Sequence, residues 1–214
     1  SNPALSVFIP KEPKEGETRV AATPETVKMM VKEGLQVFIE AGAGDGSYIS
    51  DDDYKAAGAQ IRADVENIYA SVDIVLSVQP PQIHPLTGKH QLDMVKNHSC
   101  WISFMIPQSE LTSVKKLIEK QMTGFSMNLI PRISRAQKMD ALTSQSNIAG
   151  YKAVIIAANE LGKMFPLMMT ASGTIQPAKV VVLGAGVAGL QAIATAKRLG
   201  AQVEASDVRP TVKE

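Results

Sequence analysis

The sequence predicts an α/β protein with two parallel-sheet domains joined by a long helix, the second domain incomplete. Three observations carry that expectation. Over the first ~130 residues, short apolar runs alternate with helical patterns, the rhythm of a parallel sheet with helical crossovers. From about Gln145 to Lys163, residues Ile148, Tyr151, Ile155, Ala158 and Leu161 recur at helical spacing. From Lys179 to Ser206 the chain writes strand, glycine turn, helix and strand without interruption.

The elements follow in order. Val7-Phe-Ile9 reads as a strand ended by Pro10. Thr23-Pro24-Glu25 supplies a cap, an N1 proline and a first-turn acid, and Gly34 closes that helix. Leu35 to Glu40 is the next strand. Asp51 is expected to cap a short helix closed by Gly58, and Asp64 another. Asp73 to Val78 reads as a strand stopped by Pro80-Pro81, which lack two backbone donors. Cys100 to Ile106 is a further strand, followed by a helix from Ser109 to about Gln121 and a strand from Gly124 to Ile130. The long helix comes next, then a turn-rich connection, Thr170 to Pro177, into the last strand–turn–helix unit. The expected partition is an N-terminal α/β domain over 1–144, a connecting helix over 145–169 and the start of a second domain over 170–214, with a cleft between the two domains.

Composition narrows the function classes. With 214 residues, 45% hydrophobic and only 20% charged, the chain can bury a core. Its 22 basic residues nearly balance 21 acidic ones, which gives no electrostatic case for nucleic acid or an anionic membrane surface. One cysteine, Cys100, excludes a disulfide framework and suits a reducing compartment. No apolar run approaches the ~18 residues of a membrane helix, and no secretory signal precedes Val7. Ser1-Asn2-Pro3 has no initiating methionine and resembles the remnant of a processed tag, and only one βαβ unit is complete by Glu214. Both ends are therefore expected to belong to a fragment of a longer protein.

The strongest chemical signal is Lys179-Val-Val-Val-Leu183-Gly184-Ala185-Gly186-Val187-Ala188-Gly189, with Asp207 lying 18 residues further on. In G-x-G-x-x-G, Gly184 permits the tight turn, Gly186 lets backbone approach a pyrophosphate, and Gly189 lets helix and strand pack closely. The pyrophosphate sits on unpaired N–H groups at the helix N-terminus. Asp207, at the tip of the second strand, can accept from both ribose hydroxyls and repels a 2′-phosphate, so it favours NAD over NADP. Arg209 points the other way, because an arginine near that tip can accommodate the phosphate. This is a Rossmann-like pattern.

Other candidates are weaker. Ala41-Gly-Ala-Gly-Asp-Gly46 fails the glycine spacing of a phosphate loop and reads as a tight turn. His84, His90 and His98 lack ligand-spaced partners and read as solvated loop residues, so no metal site is expected. Asp51-Asp52-Asp53 suits a helix start, not a calcium loop. Pro131 to Asn147 is a long polar stretch after a strand, where ligand loops of open sheets gather. Its Gln137 and Asp140 are suited to a carboxamide. The same stretch reads equally well as a solvated loop with a capped helix start.

Several segments together resemble a family: Glu12, Thr18 to Pro24, Glu40 to Gly44, Asp53-Tyr54 with Ala57-Gly58-Ala59, and Pro177 to Gly186. They are similar to the alanine dehydrogenase and transhydrogenase N-terminal superfamily. Pro131-Arg132-Ile-Ser-Arg135-Ala-Gln137-Lys138-Met139-Asp140, Ser144 to Tyr151 and Gly189 to Gly200 resemble domain I of proton-translocating NAD(P) transhydrogenase, the NAD(H)-binding part of the alpha subunit. Alanine dehydrogenases carry lysine where Gln79 stands and histidine where Ile106 stands, the groups that bind pyruvate and move its proton. Hydride transfer between two nicotinamides needs positioning and no acid–base pair, so these departures favour the transhydrogenase branch.

That resemblance implies a set of roles. Arg132 lies near the pyrophosphate and nicotinamide, Gln137 and Asp140 position the nicotinamide, and Lys138, Met139 and Thr143 share the loop. Thr143 keeps the hydroxyl of a serine that relatives often show. Gly184, Ala185, Gly186, Val187 and Gly189 form the phosphate turn, with Asp207, Val208 and Arg209 at the ribose. NADP(H) belongs to a partner component and proton translocation to a membrane domain. The domain would be a homodimer, peripheral on the cytoplasmic face of a bacterial inner membrane or in the mitochondrial matrix. An alanine-type amino-acid dehydrogenase and a non-catalytic NAD-sensing module are the alternatives.

Overall fold

The structure, a computed structural model, describes residues 4–210; the Ser1-Asn2-Pro3 start and the Glu214 end lie outside the described residues. It divides into two compact units, one running to Ile130 and one from Pro131 onward. The expected α/β architecture is present in both.

In the first unit, β1 (Ser6–Ile9), α1 (Pro24–Lys32), β2 (Gln36–Glu40), α2 (Asp51–Ala56), β3 (Gln60–Arg62) and α3 (Val65–Ser71) are followed by β4 (Ile74–Leu76), α4 (Gln91–Met94), β5 (Cys100–Ser103), α5 (Leu111–Glu119) and β6 (Thr123–Ser126). The strands form one sheet in the order β3-β2-β1-β4-β5-β6. Every pair in it is parallel. That is a doubly wound sheet whose strand order reverses between β1 and β4. Alternate side chains feed two separate cores. Val7, Ile9, Val37 and Ile39 pack with Val27 and Tyr54 on one side. Phe8 and Val75 pack with Tyr69, Trp101 and Leu117 on the other. A sheet buried on both faces explains why its strands read as continuous apolar runs.

At the switch point, Glu12 follows β1 and ties it to β4. Its carboxylate accepts from Gln79 N at 3.0 Å and from Ser77 Oγ at 3.1 Å, and also from Val78 N. On the opposite edge of the same seam, Asp73 accepts from Ser6 N at 2.9 Å and from Lys96 Nζ at 2.7 Å. The Lys96 bond above all holds the Asp73 carboxyl down from the usual 3.8 to about 2. A depressed folded-state value means stability that is complete above the unfolded-state pKa and lost as pH falls toward the folded one. Asp73→Asn should therefore weaken the protein at neutral pH, and its deficit should shrink between about pH 4 and pH 2. Urea midpoints of both proteins across that window check this; a constant difference would refute it.

Several sequence expectations need correction. Ser50, not Asp51, caps α2: its hydroxyl accepts from Asp53 N while Asp53 accepts from Ser50 N, a capping box. Asp51 instead accepts from Gly42 N at 3.0 Å and braces the loop after β2. Asp64 stands at the N-cap of α3 but makes no cap bond, its carboxylate being held by Arg62. The strands are shorter than their apolar runs: Asp73–Val78 shortens to β4, Cys100–Ile106 to β5, and Gly124–Ile130 gives way to β6 and a 3₁₀ turn at Met127–Leu129. His84 is not solvated but only 2% exposed. The 83–90 segment closes on itself by an antiparallel bridge between Ile83 and His90, which folds that ring inward. His90 caps α4, its Nδ1 accepting from Leu92 N at 3.2 Å.

The second unit holds α6 (Ala141–Glu160), β7 (Met168–Thr170), β8 (Gly173–Ile175), β9 (Lys179–Leu183), α7 (Val187–Arg198) and β10 (Gln202–Ser206). The long helix begins four residues before the expected Gln145 and ends three before Lys163, because Asp140 caps it. The turn-rich connection folds as an antiparallel hairpin, β7–β8. β9 and β10 pair in parallel from Lys179↔Gln202 to Leu183↔Ser206. Val154, Phe165, Ala178 and Ala196 form its small core. Among the described residues no helix is long and apolar enough to cross a membrane.

Candidate functional site

The glycine turn and the polar loop both fall in the second unit. β9 leads into Gly184, whose φ of +100° is a conformation side chains rarely adopt. Its N–H donates to Ser206 O at 2.7 Å, locking the turn to the tip of β10. A Cβ on Gly189 would lie 1.8 Å from Gly184 O, so only hydrogen fits where α7 passes the turn. Gly186 is the N-cap of α7 and makes no side-chain cap bond. The first amides of α7, from Val187 onward, have no intrahelical acceptor. Only the tip of Arg209, at 3.9 Å, comes within 4 Å of a Cβ position on Gly186, and a glycine this uncrowded beside unpaired helix amides suits the pyrophosphate of a dinucleotide.

Asp207 is drawn onto this turn. Its Oδ2 accepts from Ala185 N at 2.7 Å and from Arg209 Nη2 at 2.9 Å. Its Oδ1 accepts from Arg209 N at 2.8 Å and from Arg209 Nε at 3.0 Å. The Arg209 guanidinium, and then the Ala185 amide, hold the Asp207 carboxyl well below the usual carboxylate range. Val208 is fully displayed beside them.

The loop residues form a second cluster. Ser134–Met139 is a run of 3₁₀ helix pinned by buried Ala136, and it displays Gln137, Lys138 and Met139 on the surface. Asp140 then caps α6: Oδ1 accepts from Thr143 N at 2.9 Å and Oδ2 from Thr143 Oγ1 at 2.6 Å. Those bonds, with a smaller pull from Arg132, lower the Asp140 carboxyl. So Arg132, Asp140 and Thr143 converge, and the helix-cap reading of this stretch is correct whatever else it does. The two clusters share a support. A Cβ on Gly150 of α6 would meet Ala188 O of α7 at 2.1 Å, so the helix carrying the loop rides directly on the helix carrying the turn.

In the first unit, Glu17 takes up both Arg19 and Gln79. Arg19 donates to it through Nε and Nη2 at 2.9 and 2.8 Å, and Gln79 through Nε2. Chiefly through Arg19, the Glu17 carboxyl is lowered to about 2. Ile106 is half exposed. Sequence reasoning missed a cavity of about 360 Å³ beside this cluster, lined by Glu12, Glu40 and His84 among others. Burial pushes the carboxyls of Glu12 and Glu40 up and the His84 imidazole down. Nothing in the local pattern marks Glu40 or His84 as interior; only the sheet topology gathers them.

A parallel strand, a glycine turn that excludes a methyl, uncapped helix amides and an acid at the next strand tip are the features of the dinucleotide-binding class of α/β proteins. Comparison with known proteins narrows this further. The chain belongs to the alanine dehydrogenase/PNT family, whose N-terminal domain matches residues 8–149 and whose C-terminal domain matches residues 153–214. An NAD(P) transhydrogenase subunit alpha protein from Rhodospirillum rubrum is 47% identical over 210 residues, covering 98% of this chain and 54% of that protein. The crystal structure of transhydrogenase from Sinorhizobium meliloti superposes with a TM-score of 0.90 at 45% identity, over 97% of this chain and 58% of that one. Alanine dehydrogenase from Methanococcus maripaludis is 32% identical over 209 residues, covering 95% and 53% of the two chains. The chain thus spans about half the length of these curated relatives.

Proposed function

We propose that this chain is the NAD(H)-binding part of a proton-translocating transhydrogenase, exchanging hydride with NADP(H) held on a separate component. The observation that carries this reading is the Glu17–Arg19–Gln79 cluster. Its two charges pair with each other and the Gln79 amide cannot titrate, so this chain has no proton-moving group where the resembled alanine dehydrogenases carry a lysine. Hydride exchange asks only for alignment. The similarity to transhydrogenase alpha subunits, higher than to the alanine dehydrogenase, supports the same branch.

In this reading a bound nicotinamide supplies the carbon that gives or receives hydride. The chain's own residues bind and orient it. Gly184, Ala185, Gly186, Val187 and Gly189 present backbone to the pyrophosphate, while Asp207, Val208 and Arg209 flank the ribose. Arg132 adds positive charge to the phosphate end. Gln137 and Asp140 hold the carboxamide, with Lys138, Met139 and Thr143 completing the loop. Residues 1–144, 145–169 and 170–214 would act as N-terminal domain, connecting helix and opening of the NAD domain. The partners are an NADP(H)-binding component, a membrane domain and a second copy of this domain, at the cytoplasmic or matrix face of the membrane.

The test is hydride exchange between NADH and NADP⁺ by the full-length protein mixed with its NADP(H)-binding component. We expect exchange there and no alanine-dependent reduction of NAD⁺. Alanine-dependent reduction without exchange would replace this reading with the amino-acid dehydrogenase, and NADH binding with neither activity would leave a sensing module.

A further inference from the structure

We infer that Gly150 is a positioning residue for hydride transfer: bare of a side chain, it seats α6 on the first turn of α7 and so fixes the nicotinamide loop relative to the phosphate turn. The inference deepens the transhydrogenase reading and rests on it, since that reading assigns the loop and the turn to the two ends of one nucleotide.

Three features carry it. First, the seat is backbone on backbone. A Cβ on Gly150 would lie 2.1 Å from Ala188 O, 2.9 Å from Ala188 C and 3.0 Å from Ala188 Cα. None of these atoms can rotate aside as a side chain would. Second, each helix carries one half of the candidate site at its N-terminal end. α6 starts from Asp140, which caps it, and the 3₁₀ run with Gln137 leads directly into that cap. α7 starts from Gly186, and Ala188 is only its second residue. The contact therefore lies beside the phosphate turn, about 15 Å along α6 from Asp140 at ~1.5 Å per residue. Third, Gly150 and Val154 are the buried residues of α6, four apart and so on one face. Val154 is set among Phe165, Ala178 and Ala196, the small core of this unit.

That arrangement makes α6 a lever. A methyl on Gly150 must back away from Ala188 O by about 1 Å to reach an ordinary contact. Val154 pins the next turn, so the helix yields by tilting about it. Asp140 lies more than three times as far from Val154 as Gly150 does, so its end swings by about 3 Å. Even a plain shift of ~1 Å costs about a hundredfold in a transfer that depends on alignment. The phosphate turn stays in place, because Gly184 N–H is tied to Ser206 O and Ala185 N–H to Asp207. A wedge at residue 150 thus misaligns the two ends of the nucleotide without dismantling either.

The experiment compares Gly150→Ala, Val154→Ala and Val203→Ala in the full-length protein, each mixed with the NADP(H)-binding component. The readouts are single-turnover hydride transfer at saturating NADH, the urea midpoint, and calorimetric affinity for ADP-ribose, which lacks the nicotinamide. Gly150→Ala should transfer about a hundredfold more slowly, with ADP-ribose affinity within about twofold of the unmutated protein. Val154→Ala loosens the pivot of α6 and should slow transfer about tenfold. Val203 packs on the same small core from β10. Val203→Ala should lower the urea midpoint as Val154→Ala does and leave transfer unchanged. If Gly150→Ala does not fold, the two valine variants decide. Equal transfer rates in those two at matched stability, or ADP-ribose affinity falling in step with the rate, would overturn the positioning role and leave Gly150 a packing residue. An unmutated protein that binds ADP-ribose but exchanges no hydride would instead overturn the transhydrogenase reading, and this proposal with it.

Discussion

Gly189→Ala is expected to destabilise the second unit by about 3 kcal/mol or more, at or above the upper end for overpacking a close contact. The added methyl would lie 1.8 Å from Gly184 O and 2.8 Å from Gly184 C, both backbone atoms that cannot rotate aside. Relief requires α7 to move bodily away from β9. That motion is opposed on the far side, where Ala188 carries the Gly150 contact, and inside, where Ala196 is fully buried. Set against net stabilities of ~5–15 kcal/mol, the loss is large. Urea unfolding would measure it, with Gly162→Ala as the control. Gly162 has open space around its Cβ position and should change stability by less than about 0.5 kcal/mol. Equal midpoints for the two variants would show that the helix is not held as closely as the geometry says.

Gln137→Ala should slow hydride transfer about a hundredfold while changing the NADH dissociation constant only severalfold, since ~1 Å of misplacement costs that much in rate. Phosphate and adenosine contacts carry most of the affinity in this reading, and the loop aligns the nicotinamide. Asp140 needs a subtler variant, because its carboxylate also caps α6. Asp140→Ala removes cap and charge together and should lower the urea midpoint in addition to the rate. Asp140→Asn retains a carbonyl oxygen for Thr143 N and should keep the helix while losing rate. Single-turnover transfer in the reconstituted complex, set beside NADH titrations, separates these effects. If rate and affinity fell in equal proportion, the loop would be a binding element with no aligning role.

The parts of this fold that sequence exposed are those with a physical period. Apolar runs such as residues 7–9 and 37–39 mark central strands, and Gly184, Gly186 and Gly189 mark a turn that tolerates nothing larger. What escaped notice had no period. β3 is three residues, Gln60–Arg62, with Ile61 its single apolar side chain, too short to show a period, and it pairs with the edge of β2. The β7–β8 hairpin is all but exposed and is built on Gly173 at φ +131°. The start of α6 is hidden because apolar spacing begins at Ile148, whereas its cap lies eight residues earlier. The candidate nucleotide site was legible as a set of residues. That Arg209 folds back on Asp207 was not, since spacing cannot tell a neighbour from a partner.

The Glu12 bridge has a consequence for how the first unit can evolve. In open α/β sheets the gap at the reversal of strand order is where outside molecules usually dock. Here one internal carboxylate occupies that gap and takes up two main-chain amides and a hydroxyl from the far strand's end. Clearing the crevice for a visitor would mean removing the clasp between β1 and β4, so vacancy and cohesion cannot be adjusted separately. The cavity of about 360 Å³ beside the clasp has Glu12 in its own wall, so enlarging it at residue 12 would loosen the sheet as well.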